Sequence, residues 1–150
     1  MRRKIVLLLS ILASLTVYAD TYNSMWKKVS EAQSKDLPKT QLEWLNRIAE
    51  KAAAAGDWGH LLRATLQRAS TQITISPDSA DVEIARIEQL ENAARQPELK
   101  AVYQNVLGKV YEIRANEDTA LINKSRRWFD KSLSNPDMLA KAKATDFEPA

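Results

Sequence analysis

The sequence predicts an all-α fold of antiparallel helical hairpins stacked on one another, and three observations predict it. Only three glycines and five prolines interrupt 150 residues. Strict alternation of apolar and polar residues, the mark of a half-buried strand, is nearly absent. Ala, Leu, Glu, Lys, Gln and Arg dominate, and apolar residues recur three and four apart, which gathers them into one stripe per helix. With 45% hydrophobic and 27% charged residues the balance is that of a single globular domain.

The first helix is expected over about Thr21–Lys35, with Tyr22, Met25, Trp26 and Val29 in its stripe. Asp36-Leu37-Pro38 ends it, because proline disfavours helical geometry in the residue before it yet fits the first turn of the next helix. A second helix, about Lys39–Ala55, carries Leu42, Leu45, Ile48, Ala49 and Ala52, and Gly56 supplies the left-handed residue that closes it. Asp57 then caps a third, about Trp58–Ile75, with Trp58, Leu61, Leu62, Thr65, Leu66, Ala69 and Ile73 in line. Two connecting residues force these helices into an antiparallel hairpin. Ile73-Thr74-Ile75 would also suit a strand over Gln72–Ser76, but nothing nearby offers a pairing partner.

After the Ser76-Pro77-Asp78 break, Val82, Ile84, Ile87, Leu90 and Ala94 mark a fourth helix over about Ser79–Arg95. Pro97 opens a fifth, to about Asn116. Leu99, Val102, Val106, Val110 and Ile113 form one stripe on it, and Tyr103, Leu107 and Tyr111 a second, so it is expected at the centre, packed on two sides. Gly108 lowers helix stability by about 1 kcal/mol relative to Ala, which points to a close helix crossing there. A sixth helix, about Thr119–Ser134, carries Leu121, Ile122, Trp128, Phe129 and Leu133, and a short last one covers about Met138–Lys143.

The net charge of +3 and pI near 9.2 would point to nucleic acid or an anionic surface, but the basic excess sits at the front. Arg2, Arg3 and Lys4 precede Ile5 to Val17, where only Ser10, Ser14 and Thr16 are polar, and Val17-Tyr18-Ala19 follows. That is the pattern of a secretory signal peptide over residues 1–19, cleaved after Ala19, and its apolar run is short for a bilayer core of about 30 Å. Removing it leaves 19 basic residues against 19 acidic, so neither nucleic acid nor, after cleavage, a membrane is an expected partner. The mature region, residues 20–150, is then a helical domain in the periplasm or outside the cell.

Without cysteine there is no thiolate nucleophile, Cys-ligated zinc, iron–sulfur cluster or thioester, and His60 alone cannot furnish a His cage. No catalytic set, metal site or cofactor site is expected. Glu83, Glu88 and Glu91 read as the solvated face of the fourth helix, with Arg86 and Arg95 as neighbours. Of Trp26, Trp44, Trp58 and Trp128, three fall in register with core stripes. Trp44 lies beside its stripe, between Leu42 and Leu45, which makes it the candidate partner contact, tryptophan being enriched where proteins meet. Burial equal to that of Leu45 would make it a packing residue instead. Asp78-Ser79-Ala80 and Asp118-Thr119-Ala120 match a short O-glycosylation acceptor pattern used on exported proteins by one group of Gram-negative bacteria, which makes Ser79 and Thr119 candidate acceptors. Asn123-Lys124-Ser125, a formal N-glycosylation sequon, falls on a helix.

The phrase from Ala53 to Trp58 resembles the turn between the two helices of a tetratricopeptide repeat, in which hairpins bury their apolar faces by stacking. The stretches Tyr22-Asn23-Ser24-Met25-Trp26-Lys27-Lys28-Val29 and Lys35-Asp36-Leu37-Pro38-Lys39-Thr40 resemble the start of the mature chain in Bacteroidota alpha-2-macroglobulin family proteins. Trp128-Phe129-Asp130-Lys131-Ser132-Leu133, Pro136-Asp137-Met138-Leu139-Ala140-Lys141 and Ala144-Thr145-Asp146-Phe147-Glu148-Pro149 are similar to the segment that closes the same helical region. The resemblance implies an exported protein whose longer chain of β-sandwich domains entraps or inhibits proteases. It transfers no inhibitory residue here, and the closing Asp146 to Ala150 leads onward in the family, which favours a truncated chain. The expected function is therefore a non-catalytic docking or spacer module, with adjacent macroglobulin-type domains or another periplasmic protein as partner. The alternative is a stand-alone periplasmic adapter of tetratricopeptide type that holds a protein or peptide in a concave groove.

Overall fold

The computed structural model describes residues 21–142. The leader with its cleavage after Ala19, and the closing Asp146 to Ala150, lie outside the described residues. Within them the chain forms α1 (Tyr22–Ser34), α2 (Pro38–Ala55), α3 (Trp58–Ile75), a single 3-10 turn (Pro77–Ser79), α4 (Ala80–Ala93), α5 (Pro97–Ala115), α6 (Thr119–Ser132) and α7 (Pro136–Lys141). The described residues contain no strand, and Gln72 to Ile75 form the last turn of α3.

Local chemistry sets these boundaries. Side-chain oxygens of Thr21, Asp57, Asp118 and Asn135 accept from amides of the first turns of α1, α3, α6 and α7, and proline stands in the first turn of α2, α5 and α7. Asp36 (φ 53°) closes α1, with Leu37 N–H donating to Ala32 O and its own N–H to Gln33 O. Gly56 (φ 68°) repeats that pattern at the end of α2, where Asp57 N–H donates to Ala52 O. The 3-10 turn takes the first residue expected of α4, because the Ser79 hydroxyl is bound back to Gln72 O and Ser76 O.

Paired contacts show each short connection reversing the chain. Lys28 lies over Trp44 and Lys51 over Tyr22 between α1 and α2; Arg68 donates to Asn46 between α3 and α2; Gln104 donates to Glu91 and Arg114 pairs with Asp81 between α5 and α4. One core joins Met25, Trp26 and Val29 of α1 to Leu45 and Ile48 of α2 and Ala64 of α3. A second surrounds α5, with Ile84 and Ile87 of α4 against Tyr103, Val106, Leu107, Val110 and Tyr111, and Ala69 from α3. Ala52, Leu61 and Val102 join the two. As its two stripes require, α5 touches α3, α4, α6 and α7.

Gly108 marks the tightest approach. A Cβ on it would lie 2.7 Å from the Phe129 ring, and the Ser125 hydroxyl of α6 donates to Gly108 O at 2.8 Å.

The face expected of α4 is corrected. Glu83 and Glu91 are buried, at 2% and 6% exposure, while Val82 is 70% exposed. At about 100° per residue, Ala80, Glu83, Ile84, Ile87 and Glu91 share one side and Val82 points away. Two positions assigned to core stripes, Ile113 and Leu133, are exposed as well, at 56% and 62%.

Candidate functional site

Direct side-chain contacts join α1 and α3 near their N-terminal ends. Trp26 Nε1–H donates to His60 Nδ1 at 3.0 Å, the Tyr22 ring stacks on the imidazole with 3.9 Å between centroids, and the Arg63 guanidinium lies 4.2 Å from the Trp26 ring centroid. A His60 that accepts at Nδ1 is the neutral tautomer with its proton on Nε2. Burial pushes the Tyr22 phenol above its usual range, and the negative charge of Asp57 adds to this. This junction packs α1 on α3 and leaves two buried polar atoms, Tyr22 Oη and Arg63 Nη1, without a hydrogen-bond partner. The lone histidine is satisfied by tryptophan, a pairing across 34 residues that no local pattern announces.

Towards the other ends of α1 and α3 a cleft of about 400 Å³ opens between them. Gln33 of α1 stands on one side and Gln67, Ser70, Thr71 and Thr74 of α3 on the other. The turn at Asp36, Leu37 and Pro38 closes one end, and Gln41 of α2 completes the lining. Leu37 and Ile75 are 47% and 43% exposed. The Thr71 and Thr74 hydroxyls donate to carbonyls one turn back, at Gln67 and Ser70, and retain lone pairs for a further partner.

Trp44 is partly exposed, whereas neighbouring Leu45 is wholly buried. Its ring is held by two cations, Lys28 Nζ 4.1 Å and the Arg47 guanidinium 4.5 Å from the centroid. Trp58 and Trp128 are likewise half-buried, and only Trp26 is buried. The two candidate acceptor residues differ. Thr119 is exposed at the first position of α6, while Ser79 is half-buried with its hydroxyl committed to two carbonyls. Asn123 is exposed on α6.

The charged cluster that the sequence placed in solvent is internal. Glu83 pairs with Arg68 of α3 and with Arg86 of its own helix, and Arg68 donates on to Asn46 of α2 at 2.7 Å. Burial pushes the Glu83 carboxyl up, but hydrogen bonds and charge from Arg86 and Arg68 outweigh it and hold the group below the usual carboxylate range. With its oxygens saturated by guanidinium, Glu83 ties α2, α3 and α4 together and is no proton carrier. Among the described residues no three His, Cys, Asp or Glu converge as metal ligands, and no helix is long and apolar enough to cross a membrane.

Pattern reasoning passed over Gln41. It stands four residues before Leu45 and seven before Ile48 on the buried stripe of α2, and a polar residue in that register is the one sequence signal that leads to the cleft. No protein-family model, curated protein or solved structure matches the chain.

Proposed function

We propose that the chain is an exported, non-catalytic helical module that docks a protein through the surface of its first two helices. The observation that carries this is Trp44, a large ring left partly open to solvent and clamped in one orientation by Lys28 and Arg47, so that little side-chain freedom is lost on contact. The resemblance of the α1 to α2 segment and of the α6 to α7 segment to the N-terminal region of Bacteroidota alpha-2-macroglobulins supports adjacent domains of a longer, periplasmic or secreted chain as the partner. Thr119, open at a helix start, suits attachment of a sugar without disturbing the core.

Sequencing the DNA beyond codon 150 tests the first part. An in-frame continuation encoding β-rich domains supports the module, and a stop codon followed by an unrelated gene removes it. Where the continuation exists, Trp44→Ala weakens association of the helical module with the following domains in a titration; unchanged affinity ends the assignment of Trp44.

A second reading, a stand-alone adapter with tetratricopeptide-like stacking, is favoured by the cleft between α1 and α3 with α2 behind it. In repeat stacks of this kind alternate helices line the concave side.

A further inference from the structure

We infer that the cleft between α1 and α3 is a binding site for an extended, uncharged peptide segment that seats one apolar side chain between Leu37 and Ile75. This rests on the adapter reading and supplies the chemistry of its ligand. Three observations carry it.

The first is Gln41. It is 7% exposed, lines the cleft, and its carboxamide makes no hydrogen bond to any described residue. Its amide atoms are not sealed in the interior but stay accessible at the cleft, so two donors and an acceptor are offered there without a protein partner. A ligand that presents both a carbonyl and an N–H would meet them, and a peptide backbone does so at every residue.

The second is the character of the walls. Gln33 and Gln67 add amides, and Ser70, Thr71 and Thr74 add hydroxyls, so the walls carry neutral donors and acceptors, while Asp36 is the only charged residue of the lining. Asp36 repels an acidic segment and offers a basic one a single counter-ion at the closed end, so the neutral remainder of the lining favours an uncharged ligand. The third is the pair of exposed aliphatic side chains at the rim, Leu37 and Ile75, which offer an apolar contact of the size of one side chain. No aromatic ring lines the cleft, and the stacking platform that sugars use is missing from it. The volume of about 400 Å³ suits a few residues of an extended chain.

The test selects random linear nonapeptides on phage against the purified full chain, then measures one synthetic winner by fluorescence anisotropy and by amide shifts in two-dimensional NMR. Expected are uncharged winners with a central Leu, Ile, Val or Met, and shifts centred on Gln33, Gln41 and the segment from Gln67 to Ile75. Gln41→Leu, close in volume, should weaken binding about tenfold through loss of the amide pairings, and Ile75→Ser about fivefold through loss of apolar contact. Thr71→Val, which preserves shape at a half-buried site, should weaken it severalfold, so the inference stays testable if Gln41→Leu fails to fold. Trp44→Ala should leave peptide affinity unchanged. Enrichment of charged peptides only, shifts on another face, equal affinity in Gln41→Leu and Thr71→Val, or equal shifts from maltoheptaose would overturn the inference. Docking through Trp44 survives each of those results, because its own test is association with the following domains.

Discussion

Replacing Glu83 by Gln removes the charge at the centre of the Asn46–Arg68–Glu83–Arg86 string while keeping its volume. Truncating one partner of a buried ion pair destabilises by about 3–5 kcal/mol when the remaining charge is stranded away from water. Here the stranded groups are less isolated, since the side chains of Arg68 and Arg86 are 17% and 31% exposed and the glutamine oxygen still accepts one bond. The expected loss is therefore about 2 kcal/mol at pH 7. The pH dependence gives a second handle. The folded carboxyl lies below its unfolded value of about 4.3, so its stabilisation is complete above that value and disappears as pH falls through the folded one. The gap between wild type and Glu83→Gln should hence be widest near neutrality and close progressively below about pH 4. Urea unfolding followed by far-ultraviolet circular dichroism at several pH values measures both. A gap under about 0.5 kcal/mol at pH 7 would refute the internal clamp, since that is within what an exposed pair contributes. So would a gap that persists unchanged in acid.

Three further outcomes follow from the packing. Gly108→Ala should lower stability by about 1 kcal/mol, because displacing the Phe129 ring, 2.7 Å from the new methyl, outweighs the gain in helix propensity; thermal unfolding that rises instead would mean that α6 yields freely. Trp26→Phe should cost about 1–2 kcal/mol by stranding His60 Nδ1, readable as a shift in the urea midpoint, and no shift would deny that bond a structural role. Protein recovered after export from a Gram-negative host that performs O-glycosylation should carry a mass increment lost in Thr119→Ala and retained in Ser79→Ala, given the accessibility of the two hydroxyls; an unshifted intact mass removes both acceptors.

Helix positions were legible because the signals that set them are local. Thr21, Asp57 and Asp118 cap in place, Pro38 and Pro97 open the helices that follow them, and Gly56 takes the left-handed conformation that its type permits. The crossing at Gly108 was legible for the same reason, as a helix-weakening residue at the centre of the most apolar helix. The inner face of α4 was not. A rule that sends carboxylates outward fails where an arginine fifteen residues earlier, on another helix, meets them, and Arg68 carries no mark of that pairing in its own neighbourhood. The cleft stayed hidden because its opening depends on the tertiary spacing of α1 and α3.

The two candidate surfaces use α2 differently. Its stripe of Leu45, Ile48 and Ala52, all at 0% exposure, anchors the first hairpin to α3, so the side chains flanking the stripe are presented from a fixed base. Gln41 continues that stripe towards the N-terminus, where the apolar contacts give out and the cleft begins; Trp44 lies off it, against Lys28 of α1. A partner that covered Trp44 could leave the cleft open, and a peptide in the cleft need not touch Trp44. The proposed docking and the proposed peptide capture are thus separable by single substitutions on one helix. The adjacent residues Gln67 and Arg68 extend this to α3: one lines the cleft while the other reaches Glu83. The charged clamp between α3 and α4 therefore holds the helix that forms one wall of the cleft through a residue that does not line it.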